Sequence, residues 1–200
     1  IDILNEHKSI AVVGSRKISA VGAKLAYNAG SIIGKNGFNL VNGLALGCDA
    51  EALKGALAAG GKCAVVLPCG INEIYPKSNQ WIAEEVLKQG GCLISEYPEG
   101  TRPEKYRFVQ RDRLQSGMSQ GVLVVEAMEK SGTMHTAEYA KKQNRRLACY
   151  YHGLLKYSTG NNVLENLYQA AVIKTNEDLE NYLCEIADIE EYTQLSFDFV

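Results

Sequence analysis

The sequence contains no apolar run that approaches the roughly 20 residues needed to cross a bilayer. Its first residues, I-D-I-L-N-E-H-K, lack the basic and apolar parts of a signal peptide, so we expect a cytoplasmic protein with no membrane contact. The six cysteines form no C-x-x-C pair and stand mostly in or beside apolar runs, where Cys behaves as a small buried hydrophobe. The pattern indicates neither a zinc site nor a disulfide framework.

Charge is unevenly distributed along the chain. The formal net charge is −2, but residues 185–200 hold five of the 23 acidic residues and no Lys or Arg. Without them, the rest of the chain has 21 basic and 18 acidic groups, a net charge of +3. Any nucleic-acid binding must therefore come from a local patch. With 46% hydrophobic residues and no internal repeat, residues 1–184 predict one folded domain, and residues 185–200 predict an acidic, flexible tail.

Short apolar runs alternate with longer helical segments from the start of the chain to its acidic end. The predicted strands cover residues 9–14, 37–41, 62–67, 91–95, 121–125, 145–151 and 171–173. Alternation of this kind is typical of an α/β fold with a doubly wound, mainly parallel, Rossmann-like sheet. Ligands of such sheets bind in a crevice at the carboxyl ends of the strands, so the loops that follow the strands are the candidate site.

The loop after the first strand is the first candidate for an anion site. Ser15, Arg16 and Lys17 follow Gly14 and are predicted to open a helix that runs to about residue 35. A glycine turn that meets a helix N-terminus suits phosphate, and the Arg16 guanidinium would grip it in a bidentate way. The G-x-G-x-x-G pattern is missing, so we predict no NAD, FAD or other cofactor.

Two further loops carry polar residues at the starts of helices. Asp49, in N-G-L-A-L-G-C-D-A, is interpreted first as a helix N-cap and only second as a functional group. Ser131, Gly132 and Thr133 form a hydroxyl-rich and glycine-containing turn before another helix. His135 has no nucleophile or orienting acid at a fixed spacing, which favours a hydrogen-bonding surface histidine over a catalytic base. No catalytic residue is predicted.

The segment 96–113, E-Y-P-E-G-T-R-P-E-K-Y-R-F-V-Q-R-D-R, combines basic and aromatic side chains. Its basic residues are Arg102, Lys105, Arg107, Arg111 and Arg113, and its aromatic residues are Tyr97, Tyr106 and Phe108. Cations that follow a nucleic-acid backbone, interleaved with rings on which bases stack, are typical of single-strand binding. The alternative interpretation is a helix start with a solvated charged face.

Six ordered motifs together resemble the DNA-processing protein A (DprA/Smf) family. They are V-V-G-S-R, N-G-L-A-L-G-C-D-A, V-L-P-C-G-I-N-E-I-Y-P, S-E-Y-P-E-G-T, F-V-Q-R-D-R and V-V-E-A-M-E-K-S-G-T, within residues 9–184. The resemblance implies an extended Rossmann-like fold, a homodimer, single-stranded DNA binding, and delivery of RecA recombinase onto that DNA during uptake and recombination. Relative to the family pattern, Leu53 stands where a histidine is usual, and Asp112 turns the usual R-N-R into R-D-R.

The resemblance assigns residues as well as a function. It implies that Arg16 holds a DNA phosphate, that Lys105 is the lysine before the F-x-x-R-x-R motif, and that Phe108 stacks on a base. Donors expected along the same rim are Ser15, Asn42, Gly43, Ser131, Gly132 and Thr133. Asp112 is expected either to weaken DNA binding or to pair with Arg16 or Arg113.

Binding or hydrolysis of a nucleotide-derived ligand is the alternative function. Enzymes of the wider superfamily that shares this sheet carry P-G-G-x-G-T-x-x-E, where this chain has E-K-S-G-T-M-H-T-A-E. The paired glycines are absent, and Gly132, Thr133 and Glu138 leave only a partial match. A binding module is therefore favoured over an enzyme.

The sequence ends in Q-L-S-F-D-F-V, which resembles peptides that bind the bacterial sliding clamp. Gln194, Leu195, Phe197 and Phe199 would be the anchors. Packing of this segment against the domain or across a dimer is the competing interpretation. Deletion of residues 192–200 is expected to abolish clamp binding in a pull-down titration if the peptide is the anchor, and unchanged affinity would exclude it.

Overall fold

The computed structural model of the protein describes residues 2–188. Its strands are β1 (Ser9–Val13), β2 (Asn39–Asn42), β3 (Cys63–Val66), β4 (Cys92–Ile94), β5 (Gly121–Val124), β6 (Arg146–Tyr150) and β7 (Ala171–Ile173). Its α-helices are α1 (Asp2–Glu6), α2 (Ala20–Lys35), α3 (Cys48–Ala58), α4 (Gln80–Lys88), α5 (Lys105–Gly117), α6 (Thr133–Lys142), α7 (Thr159–Tyr168) and α8 (Asn176–Ala187). The predicted clamp anchors lie outside the described residues.

The strands form one seven-stranded sheet with the order β4-β3-β2-β1-β5-β6-β7. Every neighbouring pair is parallel, which confirms the doubly wound, Rossmann-like prediction. The chain moves outward from β1 to β4, and α5 then returns it to β5 on the other side of β1. The strand order therefore reverses between β1 and β5, and the carboxyl ends of these two strands mark the point where ligands of such sheets bind.

The sheet is buried because helices cover both of its faces. One core cluster joins alternate residues of the strands to α2, α3, α4 and α8, for example Ile33 and Leu183 around Ile10. The second cluster joins the other strand residues to α1, α6 and α7, with Leu164 among them. Strands that are buried on both faces require continuous apolar runs, which is why their positions were visible in the sequence. Leu53, at the family's histidine position, lies fully buried in the first cluster.

Helix α2 begins later than the sequence predicted. Residues 15–17 form a loop in which the Lys17 N–H donates to Ser15 Oγ at 3.1 Å, and the helix begins at Ala20. Ser19 is its N-cap, and the Ser19 Oγ accepts the Gly22 N–H at 3.0 Å. A local hydroxyl turn competes here with helix, as is common for serine.

Small residues bring α2 into close contact with α3. A Cβ atom on Gly30 would lie 1.9 Å from the carbonyl oxygen of Ala52, and one on Gly55 would lie 1.9 Å from that of Tyr27. Both distances are far below van der Waals contact. The glycines in α2 and α3 therefore permit a backbone-to-backbone contact between the two helices.

All six cysteines are free, and no group of His, Cys, Asp and Glu side chains in residues 2–188 is arranged to hold a metal ion. Within the same part of the chain, every helix is too short or too polar to cross a membrane.

Gly30→Ala is expected to lower the free energy of unfolding by about 1–3 kcal/mol, because the added methyl group overpacks the α2–α3 contact. Alanine is otherwise the better helix former by about 1 kcal/mol. Gly117→Ala is the matched control, since its Cβ would lie 3.5 Å from the nearest atom of Gln143. Urea denaturation measures both variants, and equal stability of Gly30→Ala and wild type would contradict the close contact.

Candidate functional site

A crevice of about 1060 Å³ lies at the carboxyl end of β1, at the reversal of strand order. The loops after β1, β2 and β5 line it on one side, and the first turns of α5 and α6 line it on the other. Of the residues that the sequence predicted, the lining contains Ser15, Arg16, Lys105, Phe108, Arg111, Ser131, Gly132 and Thr133. Lys105 and Thr133 are the first residues of α5 and α6, so two helix N-termini meet the crevice.

Phe108 forms the aromatic centre of the crevice wall. Its ring is half-buried, and the Tyr75 ring meets it edge-on with the centroids 5.6 Å apart and the planes at 70°. The Arg16 guanidinium, which is exposed, lies with its Cζ 5.0 Å from the Phe108 ring centroid. The loop after β1 and the first turns of α5 thus bring a cation and a ring together, and Lys105 adds a second exposed cation to the same lining.

Arg111 has a structural position that the sequence did not reveal. Only 4% of it is exposed, and its Nη1 donates to the carbonyl oxygens of Gly43, at 3.0 Å, and of Val66. These carbonyls follow β2 and end β3, so the guanidinium ties α5 to both strands. A Cβ on Gly43 would lie 2.0 Å from Nη1, which explains why glycine stands there. Arg111 therefore lines the crevice with a guanidinium that is already hydrogen-bonded to the backbone of the protein. The basic segment had suggested an exposed cation.

Asn42, Gly43 and Asp49 also differ from their predictions. The Asp49 Oδ2 accepts the N–H groups of Gly43 at 3.0 Å and of Ala45 at 3.2 Å, and the Asn42 amide donates to the Asp49 carbonyl at 3.0 Å. Asn42 and Gly43 are buried outside the crevice lining, with their donors already used. The N-cap position of α3 belongs to Gly47, so Asp49 orders the preceding loop and does not cap the helix.

Asp112 pairs with Arg111, contrary to the expected pairing with Arg16 or Arg113. Its Oδ1 accepts Arg111 Nε–H at 3.3 Å and the Gln115 amide at 2.9 Å. Burial raises the pKa of the Asp112 carboxyl to about 6, and the Arg111 charge opposes that rise. The neighbouring Asp49 carboxylate raises the pKa of Asp112 further. Burial also raises the pKa of Asp49 itself, and the positive charge of Arg111 opposes that rise. Two carboxyl groups therefore flank one buried arginine at the crevice floor.

Two other predicted cations lie outside the crevice lining. Arg113 Nη2 contacts both carboxylate oxygens of Glu96, at 2.5 and 2.6 Å. The Arg107 Cζ lies 5.1 Å from the Tyr97 ring centroid, and its Nη2 lies 3.2 Å from Glu104 Oε1. Both guanidinium groups are thus paired with acidic residues at the flank of α5.

A carboxylate occupies the first helix N-terminus that the sequence proposed for phosphate. Glu126 is fully buried, and its carboxylate accepts the Ser19 N–H at 2.7 Å and the Tyr157 N–H at 3.0 Å. A Cβ on Gly22 would lie 2.4 Å from Glu126 Oε2. The prediction of a phosphate at the start of α2 is therefore wrong, because an internal anion already takes the site. The N-termini of α5 and α6 remain directed toward the crevice.

Sequence reasoning missed three residues of the site. Tyr75 supports Phe108, Glu126 fills the α2 terminus, and Gln115 lines the crevice while being only 2% exposed. The Gln115 Oε1 and the Ser131 Oγ are buried without a hydrogen-bond partner in the described chain. The spacing of Gln115 three residues after Asp112 on a helix was the available signal. His135 is half-buried and lies near enough to Asp112 to lower the pKa of that carboxyl slightly.

Comparison with known proteins identifies the relatives of this fold and crevice. A family model described as DNA recombination-mediator protein A matches residues 1–183. Protein Smf of Escherichia coli (strain K12) is 41% identical over 138 residues, which are 69% of this chain and 37% of that protein. The chain thus spans less than half the length of this curated relative.

Two solved structures of DNA processing protein A are similar over most of the chain. One, from Helicobacter pylori, was described for its unique single-stranded DNA binding mode and has a TM-score of 0.83 at 29% identity, covering 92% of this chain and 83% of that one. The other, from Streptococcus pneumoniae, has a TM-score of 0.77 at 30% identity and covers 94% of this chain and 64% of that one.

Asp112→Asn is expected to change how stability depends on pH. The folded-state pKa of about 6 lies above the ordinary value of 3.8, so the folded protein binds more protons between these pH values. Wild-type stability therefore falls as pH rises from about 4 to about 6 and stays lower above that range. The variant lacks this decrease and should gain about 2–3 kcal/mol relative to wild type over the same interval.

Urea denaturation at a series of pH values measures this difference. Asp178→Asn is the control of opposite sign, because hydrogen bonds from the Lys174 and Thr175 backbone lower the pKa of that carboxyl. This control variant should lack the stability that the wild-type carboxylate adds as pH rises. Parallel pH profiles of Asp112→Asn and wild type would contradict the assignment.

Proposed function

Because the chain belongs to the DNA recombination-mediator protein A family, we propose that its crevice binds single-stranded DNA. Arg16 and Lys105 contact phosphates, and Phe108 stacks on a base. The observation that carries this proposal is the placement of these three residues in one crevice, with the Arg16 Cζ 5.0 Å from the Phe108 ring centroid. A base held against Phe108 would have the Arg16 guanidinium beside it, and Lys105 lines the same crevice.

The helix ends and polar side chains elsewhere in the crevice also favour an anionic ligand that carries a polar base. The first residues of α5 and α6 line the crevice, so the positive ends of two helices lie at it, a favourable arrangement for phosphate oxygens. Ser15, Ser131, Gly132 and Thr133 add hydroxyl and backbone donors along the rim. Arg111 lines the crevice as a buried guanidinium that pairs with Asp112, while Arg107 and Arg113 pair with acidic residues at the flank of α5, outside the crevice.

The proposed role is that of a binding protein in DNA recombination. Delivery of RecA onto the bound strand and formation of a homodimer are implied by the family resemblance and form the finer part of this proposal. A cytoplasmic location, expected from the sequence, is also part of it. RecA-dependent strand exchange on DNA coated with single-strand-binding protein tests the delivery step, and sedimentation velocity tests the dimer.

A nucleotide-derived ligand is the second candidate, favoured by one specific observation. Gln115 Oε1 and Ser131 Oγ are buried at the crevice without partners in residues 2–188, and such atoms would pair with the polar edge of a base or with a ribose. Competition between oligo-dT and AMP or ADP-ribose separates the two functions. Single-stranded DNA binding predicts weak competition and affinity that falls as salt rises.

Arg16→Ala and Phe108→Ala are each expected to weaken oligo-dT binding by about 1–3 kcal/mol, since the first removes a phosphate contact and the second removes base stacking. Arg113→Ala is the matched control, because it removes an arginine of the same segment that pairs with Glu96 away from the crevice. Fluorescence anisotropy titration measures all three. The proposal fails if Arg113→Ala weakens binding as much as the crevice variants, or if the crevice variants bind as wild type.

A further inference from the structure

We propose that a second, basic concavity on the opposite edge of the sheet holds phosphates of the same DNA strand, beyond the part in the crevice. This inference rests on the proposed function. The concavity has a volume of about 490 Å³ and lies where β6 and β7 begin, next to the last turn of α6. Its defining residues are Lys141, Arg145, Arg146, Tyr168 and Gln169.

The charge in this basic concavity is not balanced. Lys141, Arg145 and Arg146 line it together with a single acidic residue, Glu185. None of the salt bridges within residues 2–188 involves any of the three cations. Three cations that converge on one hollow repel each other, and an anion placed between them relieves that repulsion. The chain as a whole is slightly acidic, so this patch is a local feature.

Two contacts in the basic concavity involve a hydrogen-bond donor and an aromatic ring. Arg145 Nη2 donates to the Gly117 carbonyl at 2.8 Å, but its Nε is buried without an acceptor among the described residues. Lys141 Nζ lies 5.0 Å from the centroid of the Tyr168 ring, which also lines the hollow. A guanidinium, an ammonium and a ring at one concavity are the combination that suits a phosphodiester with its attached base.

Helix termini explain part of this charge but not all of it. Lys141 lies in the last turn of α6, and Arg145 contacts the last carbonyl of α5, so both offset the negative ends of helices. Arg146 opens β6 and is exposed, and neither helix end accounts for it. Its position beside Lys141 in the same hollow is what points to a ligand.

Helix α6 connects the two sites. It begins at the crevice with Thr133 and ends beside the basic concavity, and its ten residues span about 15 Å. Single-strand binding modules occupy about 4–16 nucleotides. A single strand covers at least about 3.4 Å per nucleotide, so about five residues would already span this distance. A dinucleotide would therefore be confined to the crevice, whereas an oligonucleotide of about 20 residues would reach the basic concavity as well.

The test compares these two oligo-dT lengths with the double variant Lys141→Glu/Arg146→Glu, and with the milder Lys141→Gln/Arg146→Gln. We expect both variants to bind the short oligonucleotide as wild type does. Affinity for the long one should fall roughly tenfold in the reversed variant, and the salt slope should fall by about 0.7 for each phosphate that the protein no longer neutralises. Lys35→Glu is the control, because Lys35 is exposed in the last turn of α2 at the same edge of the sheet.

The outcomes separate this inference from the proposed function. Unchanged long-strand affinity and salt slope, or an equal decrease for both lengths and for Lys35→Glu, would overturn the second site. Phe108→Ala should instead weaken both lengths, and if it weakens neither, the proposed crevice function fails independently. Circular dichroism melting shows whether each variant is folded. If the glutamate double variant is unfolded, the binding data of the glutamine double variant provide the test.

Discussion

The buried Arg111 guanidinium holds the crevice together. Burial of a guanidinium costs several kcal/mol unless acceptors and a counter-charge surround it. Gly43 O, Val66 O and the Asp112 carboxyl provide them. Because these carbonyls follow β2 and end β3, the same contacts fix α5 against the sheet. Lys105 and Phe108 lie one to two turns earlier on α5, so their positions in the crevice wall depend on this anchor.

Internal carboxylates decide which parts of the crevice remain open to a ligand. Glu126 fills the N-terminus of α2, and Asp49 takes the N–H donors of the loop after β2. The positive ends of α5 and α6 also lie at the crevice, where they favour an external anion. The exposed Arg16 and Lys105 add charge on that side. The positive charge at the crevice thus comes from a few nearby side chains, in a chain whose formal net charge is −2.

Asp112 gives this chain an electrostatic character that departs from the R-N-R pattern of its family. With a pKa raised to about 6 by burial, its carboxyl is mostly ionised at neutral pH and balances Arg111. An asparagine would keep the same hydrogen-bond acceptor without the charge. Asp112 therefore makes the crevice floor less positive at neutral pH, while the cations at the rim stay unchanged.

The sequence by itself determined the parallel sheet and the end of the sheet where the crevice lies, because doubly buried strands require apolar runs and the strand-end loops must then converge. It also identified Arg16, Lys105 and Phe108 by type and motif. Only the tertiary structure decided that Arg111 and Arg113 are paired internally, that Asn42 and Gly43 are buried, and that Glu126 occupies the α2 terminus. These outcomes depend on partners far away in sequence, such as Ser19 and Glu126, 107 residues apart, which local patterns cannot specify.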